Sequence, residues 1–436
     1  MLTDPLTISI VGTASLIGLM VLRVPIAFAM AFVGIVGIYT IGGSRAVESL
    51  LRTVPYTSII SYGIIVLPLF LAMSEFAAQT GISKIFYTFR QWFGGLPGGE
   101  AVASIFGCAL FASICGSSTA TAAAIGKIAV PEMRASGYSW KLAMGSVTTS
   151  GTLGVLIPPS ALFIVYGLLT QVPISSLFIG GIIPGILAGG LFAAIAVAWA
   201  ILRPQDAPRQ HSAPSWAERF ASLSLLVRPA ILMLIVLGGI YTGLTTATEA
   251  AALGALAALV MFLMSPGMSL TRFKQAAGSA VALSSMIMAI VLGATIFSKF
   301  ITAGGLPFML VDFFQSLDMS PSAIVVIFLL VTIVLGFFLE SNAILFLTLP
   351  FLAPILFSLN VNMVWFGVLM CLAIEIGLVT PPVGFNLFVM KGLFREVPLD
   401  HIILGSLVFL TGAVITILLV FLFPGLALWL PSLMQE

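Results

Sequence analysis

Residues 150–160 read Ser150-Gly151-Thr152-Leu153-Gly154-Val155-Leu156-Ile157-Pro158-Pro159-Ser160. The stretch lies inside an apolar run, where its glycines loosen a helix and its Pro-Pro pair interrupts it. A second stretch of the same kind, Glu375-Ile376-Gly377-Leu378-Val379-Thr380-Pro381-Pro382-Val383-Gly384, lies near the other end of the chain. Each follows a small polar segment at a similar interval, 42 residues from Gly116 to Pro158 and 45 from Gly336 to Pro381. Paired interruptions at matching places in two halves of an apolar chain point to the binding site of a transporter.

The rest of the 436 residues agrees. They are 60% hydrophobic and 7% charged, against about 25% charged in a soluble domain. So much apolar surface needs lipid as its solvent, and the runs have helix length rather than the ten-residue alternation of an outer-membrane barrel. Cys108, Cys115 and Cys371 are scattered through apolar stretches and form neither a disulfide framework nor a zinc pattern. They read as small packing residues. His211 and His401 form no cluster. Asp4 precedes the first apolar run without a basic n-region, so no cleaved signal peptide is expected.

The apolar runs predict spans at 6–22, 25–42, 57–79, 139–169 (broken), 176–202, 229–244, 248–265, 280–302, 362–390 (broken) and 402–430. Two interrupted segments, 84–132 and 305–356, read as re-entrant hairpins. Irregular backbone is tolerated at membrane depth where it is buried in protein or lines a watery cavity. With the N-terminus outside, Arg23, Lys84, Arg90, Arg134, Lys141, Arg203, Arg209, Arg219, Arg228, Arg272, Lys274, Lys391 and Arg395 all fall on the cytoplasmic side. Arg45 and Arg52 fall on the other. The same parity results if each hairpin is instead two full spans.

This layout gives scaffold helices in 1–56, a first repeat in 57–202, a polar cytoplasmic linker in 203–228, scaffold helices in 229–279 and a second repeat in 280–436. Both repeats have the order span, hairpin, broken span, span, and they start from opposite sides of the membrane. The expected fold class is therefore an all-α polytopic membrane protein built from inverted repeats, with two re-entrant hairpins and two broken helices. Both termini are expected outside. The linker holds Pro204, Pro208 and Pro214, and a surface helix is expected around Trp216–Leu226.

The first hairpin tip reads Cys115-Gly116-Ser117-Ser118-Thr119-Ala120-Thr121, and the second Gly336-Phe337-Phe338-Leu339-Glu340-Ser341-Asn342-Ala343. Hydroxyls and freed carbonyls suit a hard monovalent cation such as Na⁺. A helix restarting at Pro-Pro aims its positive N-terminal end at the break and favours an anionic substrate. Small residues also occur at ordinary helix crossings in membranes, but their recurrence in both halves favours a site. Glu75, Glu249, Lys299, Glu340 and Glu375 are ionisable residues expected within the membrane. Glu340 stands at a tip and Glu375 just before a break, whereas Glu75, Glu249 and Lys299 read as structural. The sequence has no G-x-x-x-x-G-K-[ST] motif for ATP and no H-E-x-x-H. The remaining enzymatic reading, a pair of Ser117 or Ser118 with Lys127, is disfavoured. Nothing in the sequence points to nucleic acid.

Over nearly its full length the chain resembles the large membrane subunit of the tripartite ATP-independent periplasmic (TRAP) transporters. The resemblance rests on Gly116 to Thr121 through Pro131-Glu132-Met133, on Gly151 to Ser160, and on Gly377 to Gly384. It implies an elevator-type secondary transporter of the ion transporter superfamily, in a bacterial or archaeal cytoplasmic (inner) membrane. It implies Na⁺ coupling, through two or more ions. Its partners would be a small four-helix membrane (Q) subunit and a periplasmic substrate-binding (P) protein that delivers a small organic acid. Candidate substrates are a C4-dicarboxylate or a sugar acid.

Carried onto this sequence, the resemblance implies Na⁺ ligands at Cys115, Gly116, Ser117, Gly154, Ile157 and Pro159. A second set would comprise Gly336, Glu340, Ser341, Gly377 and Thr380, many of them through backbone carbonyls. It places substrate near Ser118, Thr119, Pro158, Ser160, Asn342, Pro381 and Pro382. Many relatives carry Asp where this chain has Glu340, a difference in reach of one methylene. A stand-alone Na⁺- or H⁺-coupled carboxylate carrier shares the repeat pattern and stays open at this point.

Overall fold

The first helix, α1 (Pro5–Val21), starts where Asp4 accepts a hydrogen bond from the Thr7 amide at 3.2 Å and a proline occupies the first turn. The computed structural model describes residues 4–60, 62–208, 215–317 and 319–434. Arg209, His211 and Pro214 of the expected linker lie outside the described residues.

Helix α2 (Ile26–Ile60) bends at Gly43, whose φ of 71° breaks the helical path. The segment after the bend was expected as a loop between spans and is helical. It carries Arg52 paired with Glu48 at 2.6 Å, both exposed. Helix α3 (Val66–Ala78) leads through a turn at Gly81 (φ 78°) to an arm helix, α4 (Ile85–Phe93). The first hairpin follows as α5 (Gly99–Cys115) and α6 (Ser118–Ala135). The first broken helix comprises α7 (Trp140–Ser150), the single turn α8 (Leu153–Leu156) and α9 (Ala161–Thr170). Helix α10 (Ile174–Leu202) closes this half.

The surface helix α11 (Trp216–Ser222) runs on through a 3-10 turn into α12 (Val227–Met233). A π-helical turn then leads to α13 (Gly239–Tyr241). Next come α14 (Ala247–Leu263) and α15 (Leu270–Ala303), then an arm helix α16 (Leu306–Ser316) and the hairpin α17 (Pro321–Gly336) and α18 (Ser341–Ser358). The second broken helix is α19 (Met363–Leu378) and α20 (Phe385–Leu393). The last expected span ends early: α21 (Leu399–Leu422) stops at Phe423-Pro424, and a short helix α22 (Gly425–Ser432) follows. Each half thus contains an arm helix, a hairpin, a broken helix and a long helix in the same order.

Among the described residues, seven helical stretches are long and apolar enough to cross a membrane. The chain is an all-α polytopic membrane protein. Two packing groups are evident. Helices α1, α2, α3, α14 and α15 lie against one another, while α5, α6 and α7 pack with α10 and α21, and α17 packs on α19. The two halves meet at a small-residue crossing of α7 and α21. There a Cβ on Gly145 would fall 2.3 Å from the Gly405 carbonyl carbon, so only glycine fits.

The first arm helix is fixed to its hairpin by charge. Arg90 Nη2 lies 2.9 Å from Glu100 Oε1, and its Nη1 lies 2.7 Å from Glu132 Oε2. Ser136 donates to Glu100 Oε1 at 2.8 Å, and Tyr87 donates to Glu132 at 3.3 Å. One guanidinium thereby bridges the base of both hairpin limbs, with Glu100 only 1% exposed. Removing one member of a buried ion pair strands the other. Arg90→Ala is expected to destabilise the fold by about 3 kcal/mol, read as a lowered denaturation midpoint in detergent. Arg90→Lys, which loses the fork geometry, is expected to fall between that variant and the wild type.

Candidate functional site

Each hairpin tip is seated against the break of its own half. At the first, α5 ends in left-handed Gly116 (φ 63°), and a Cβ there would lie 2.9 Å from the Pro159 carbonyl oxygen. Ser117 then caps α6, accepting from the Ala120 amide at 3.5 Å, and lies 3.3 Å from the Thr119 hydroxyl. Gly154, in the turn between the breaks, faces Ser117: its Cβ would sit 3.1 Å from the Ser117 carbonyl oxygen. The Cys115 carbonyl accepts from Ser74 of α3 at 3.2 Å, so a helix of the other packing group touches the tip.

The second tip repeats this plan with different residues. Gly336 meets Gly377 so closely that a Cβ on Gly336 would lie 2.8 Å from the Gly377 Cα. Glu340 occupies the capping position of α18 and accepts from the Asn342 amide at 3.2 Å and its side-chain Nδ2 at 2.9 Å. Ser341 is the first helical residue, as Ser118 is in the first half. The Gly384 amide donates to the Phe337 carbonyl at 3.1 Å, tying the break to the tip. Thr380 donates its hydroxyl to the Ile376 carbonyl at 2.5 Å.

One expectation about the breaks needs correction. The helices do not restart at Pro-Pro. They resume at Ala161 and at Phe385, so Pro158, Pro159, Pro381 and Pro382 belong to the unwound stretches, each pair joined by a cis peptide. The physical reason is the cap. Ser160 takes the extended conformation and accepts from the Phe163 amide at 3.4 Å, and left-handed Gly384 does the turning in the other half. Ile157 is extended, and Pro158 and Pro159 are buried, whereas Pro382 is exposed.

The two halves also meet each other. Asn386, two residues past Gly384, is buried and donates its Nδ2 to Ser118 Oγ at 2.7 Å. Glu375, 2% exposed, has Ser118, Ser341 and Glu340 as polar neighbours. These contacts gather both first-turn serines around one carboxylate. Sequence reasoning weighed Glu375 but passed over Asn386, whose only signal was an amide within an apolar run.

Several buried oxygens here make no hydrogen bond: Oδ1 of Asn342 and of Asn386, and the hydroxyls of Thr121 and Ser150. An unsatisfied buried polar group costs about 1–3 kcal/mol. Their concentration on the tips and breaks suits a cation that prefers hard oxygen donors, supplied here by hydroxyls, amide oxygens, carboxylates and freed carbonyls. Two other ionisable residues expected in the membrane, Glu249 and Lys299, lie away from the tips, whereas Glu75 on α3 is half-buried and near Cys115 of the first tip. Glu249 is exposed and forms a reciprocal cap with Thr246 at 2.8 Å, and Lys299 is exposed on α15. Lys127 is also exposed and stands nine positions along α6 from Ser118, about 13 Å of helix, which rules out a Ser–Lys pair.

Residues 13–426 match the family described as "Tripartite ATP-independent periplasmic transporter, DctM component". The chain is 33% identical to the C4-dicarboxylate TRAP transporter large permease protein DctM of Pseudomonas aeruginosa, over 85% of this chain and 86% of that one. It is 31% identical to the protein of the same name in Vibrio cholerae, over 96% of each. Among solved structures it is similar to the Alcanivorax borkumensis YdaH transporter, with a TM-score of 0.61 at 16% identity over 88% of this chain and 90% of that one. It is also similar to Neisseria gonorrhoeae MtrF, with a TM-score of 0.60 at 11% identity over 95% and 94%. These two likenesses concern the fold. Family membership makes the chain a transporter subunit rather than an enzyme, a multi-pass protein of the inner membrane, and it implies a periplasmic binding protein and a small permease subunit as partners. The protein therefore belongs to the DctM family, the large permease subunits of the tripartite ATP-independent periplasmic transporters.

Proposed function

We propose that this subunit couples inward Na⁺ flow to the import of a small organic acid handed over by a periplasmic binding protein. The observation that carries the reading is the meeting of two hairpin tips and two helix breaks around Ser118, Glu375, Ser341 and Asn386, with buried oxygens left unsatisfied. Na⁺ binds at Ser117, Gly154 and the neighbouring carbonyls in one half, and at Glu340, Gly377 and Thr380 in the other. Filling these positions orders the unwound segments and prepares an anion site between the tips. The hairpins and broken helices then cross the membrane as one body against α1–α3, α14 and α15, braced by the small subunit. Coupling follows when the fully loaded and the empty body move more readily than the partly loaded one.

Relatives named for C4-dicarboxylate, isethionate, ectoine and sialic acid support an organic acid or sulfonate as cargo. We favour a C4-dicarboxylate, because several of the relatives carry that name. A relative named as the fused permease protein DctMQ supports the tripartite reading over a stand-alone carrier.

Reconstitution of the chain with the small subunit and the binding protein into liposomes tests the proposal. Uptake should require both an inward Na⁺ gradient and the binding protein, and should proceed without ATP. Uptake that ignores removal of Na⁺ would end the coupling proposal. Full uptake by this chain alone would favour the stand-alone carrier.

At the level of residues, Thr380→Ala and Ser117→Ala should raise the half-saturating Na⁺ concentration about tenfold, the equivalent of about 1.4 kcal/mol each. Cys108→Ala, in packed apolar surroundings, should leave it unchanged. Ser117 also caps a helix, so its variant is compared after confirming that it remains folded. Asn386→Ala is expected to reduce uptake strongly, since it removes the hydrogen bond that ties the second break to the first hairpin tip.

A further inference from the structure

Away from the tips, a cavity of about 510 Å³ opens where the ends of α3, α12, α14 and α15 converge. Its lining includes Lys84, Arg228, Arg272, Gln79, Thr80 and Ser265, and no carboxylate. Among the described residues none of the three cations is in a salt bridge. Backbone carbonyls aim the two arginines instead. Arg272 donates to the carbonyl of Gln79 and, at 3.1 Å, to that of Gly267; Arg228 donates to the Thr80 carbonyl at 3.1 Å. Two guanidinium groups are thus held around one concavity that the exposed Lys84 also lines, with no counter-charge from a lining carboxylate.

The position of the cavity says what supplies that charge. Leu225, 39% exposed, is part of its wall and belongs to the surface segment that begins at Trp216. Trp216 and Phe220 of that segment are 65% and 60% exposed. Exposed aromatics beside clustered basic residues mark the headgroup level of a bilayer, and the positive-inside rule puts this end in the cytoplasm. Fork-shaped guanidinium groups match phosphate oxygens, and basic pockets between helices on this side take lipid headgroups.

We propose that the cavity binds the phosphate of an anionic phospholipid. The occupant also braces a joint. The cavity wall includes the Gln79–Lys84 turn, which joins α3 to the arm helix of the first hairpin. That arm is strapped to the surface segment by the Thr88 hydroxyl, which donates to the Ser222 carbonyl at 2.8 Å, and by Trp92 against Phe220. A lipid seated there would hold the scaffold and the base of the hairpin in register.

The test uses the full-length chain in nanodiscs of phosphatidylethanolamine, with and without phosphatidylglycerol, read by native mass spectrometry and thermal unfolding. Phosphatidylglycerol should co-purify with the wild type and raise its unfolding temperature. Lys84→Gln, an exposed position that spares the guanidinium–carbonyl bonds, should lower retained phosphatidylglycerol at least threefold, and Lys84→Gln with Arg228→Gln should lower it further. Lys274→Gln, basic but outside the cavity, should behave as wild type. Equal retention by the wild type and Lys84→Gln would overturn the site. Stabilisation by inorganic phosphate in phosphatidylethanolamine alone, with no added effect of phosphatidylglycerol, would overturn the lipid as its source.

Discussion

The structure depends on main chain pressed against main chain at two places. Gly116 against Pro159 and Gly336 against Gly377 leave no room for a Cβ, so each hairpin tip lies directly on an unwound segment. Unwound backbone is costly in a membrane because its polar groups have no water. The tips shield it from lipid and take part of its hydrogen bonding, as the Gly384 amide does with the Phe337 carbonyl. Conversely, the break gives each tip a surface flat enough to rest on. Neither feature is tolerable without the other, which is why they occur as pairs.

The halves repeat this plan without being equal. The capping position of the second limb is Ser117 in one and Glu340 in the other, while the next residue is serine in both. Glu375 belongs to the second half, yet it lies beside the first-turn serines of both. The contact from Asn386 to Ser118 has no counterpart in the other half, where the matching second residue of the resumed helix is Leu162. The centre is therefore a single polar cluster shared unequally, rather than two copies of one site.

Much of this was legible in the chain. Pro-Pro pairs and glycines marked the breaks, because no apolar helix accommodates them quietly, and the interval to each tip exposed the repetition. The positions of Gly116, Gly336 and Gly377 could be named because their chemistry is the absence of a side chain. Three things were not legible. The helical restart fell beyond the prolines because Ser160 and Gly384 terminate the breaks, and capping is decided by local geometry. The helix after Gly43 was hidden by its polar, surface-like composition. Asn386 was hidden because its importance arises from a partner 268 residues away, which no local pattern reports.

A wall made of main chain has a consequence for how such a protein diversifies. Mutation can change a side chain, but it cannot delete a carbonyl group. Where the unwound segments provide oxygens through the backbone, inherited variation can spoil the site mainly by adding bulk at the glycines. Variation is then free to accumulate on the side chains around the central cluster and on surfaces that meet other subunits. A lineage built this way can vary its side chains widely while the shape of its breaks stays fixed by geometry.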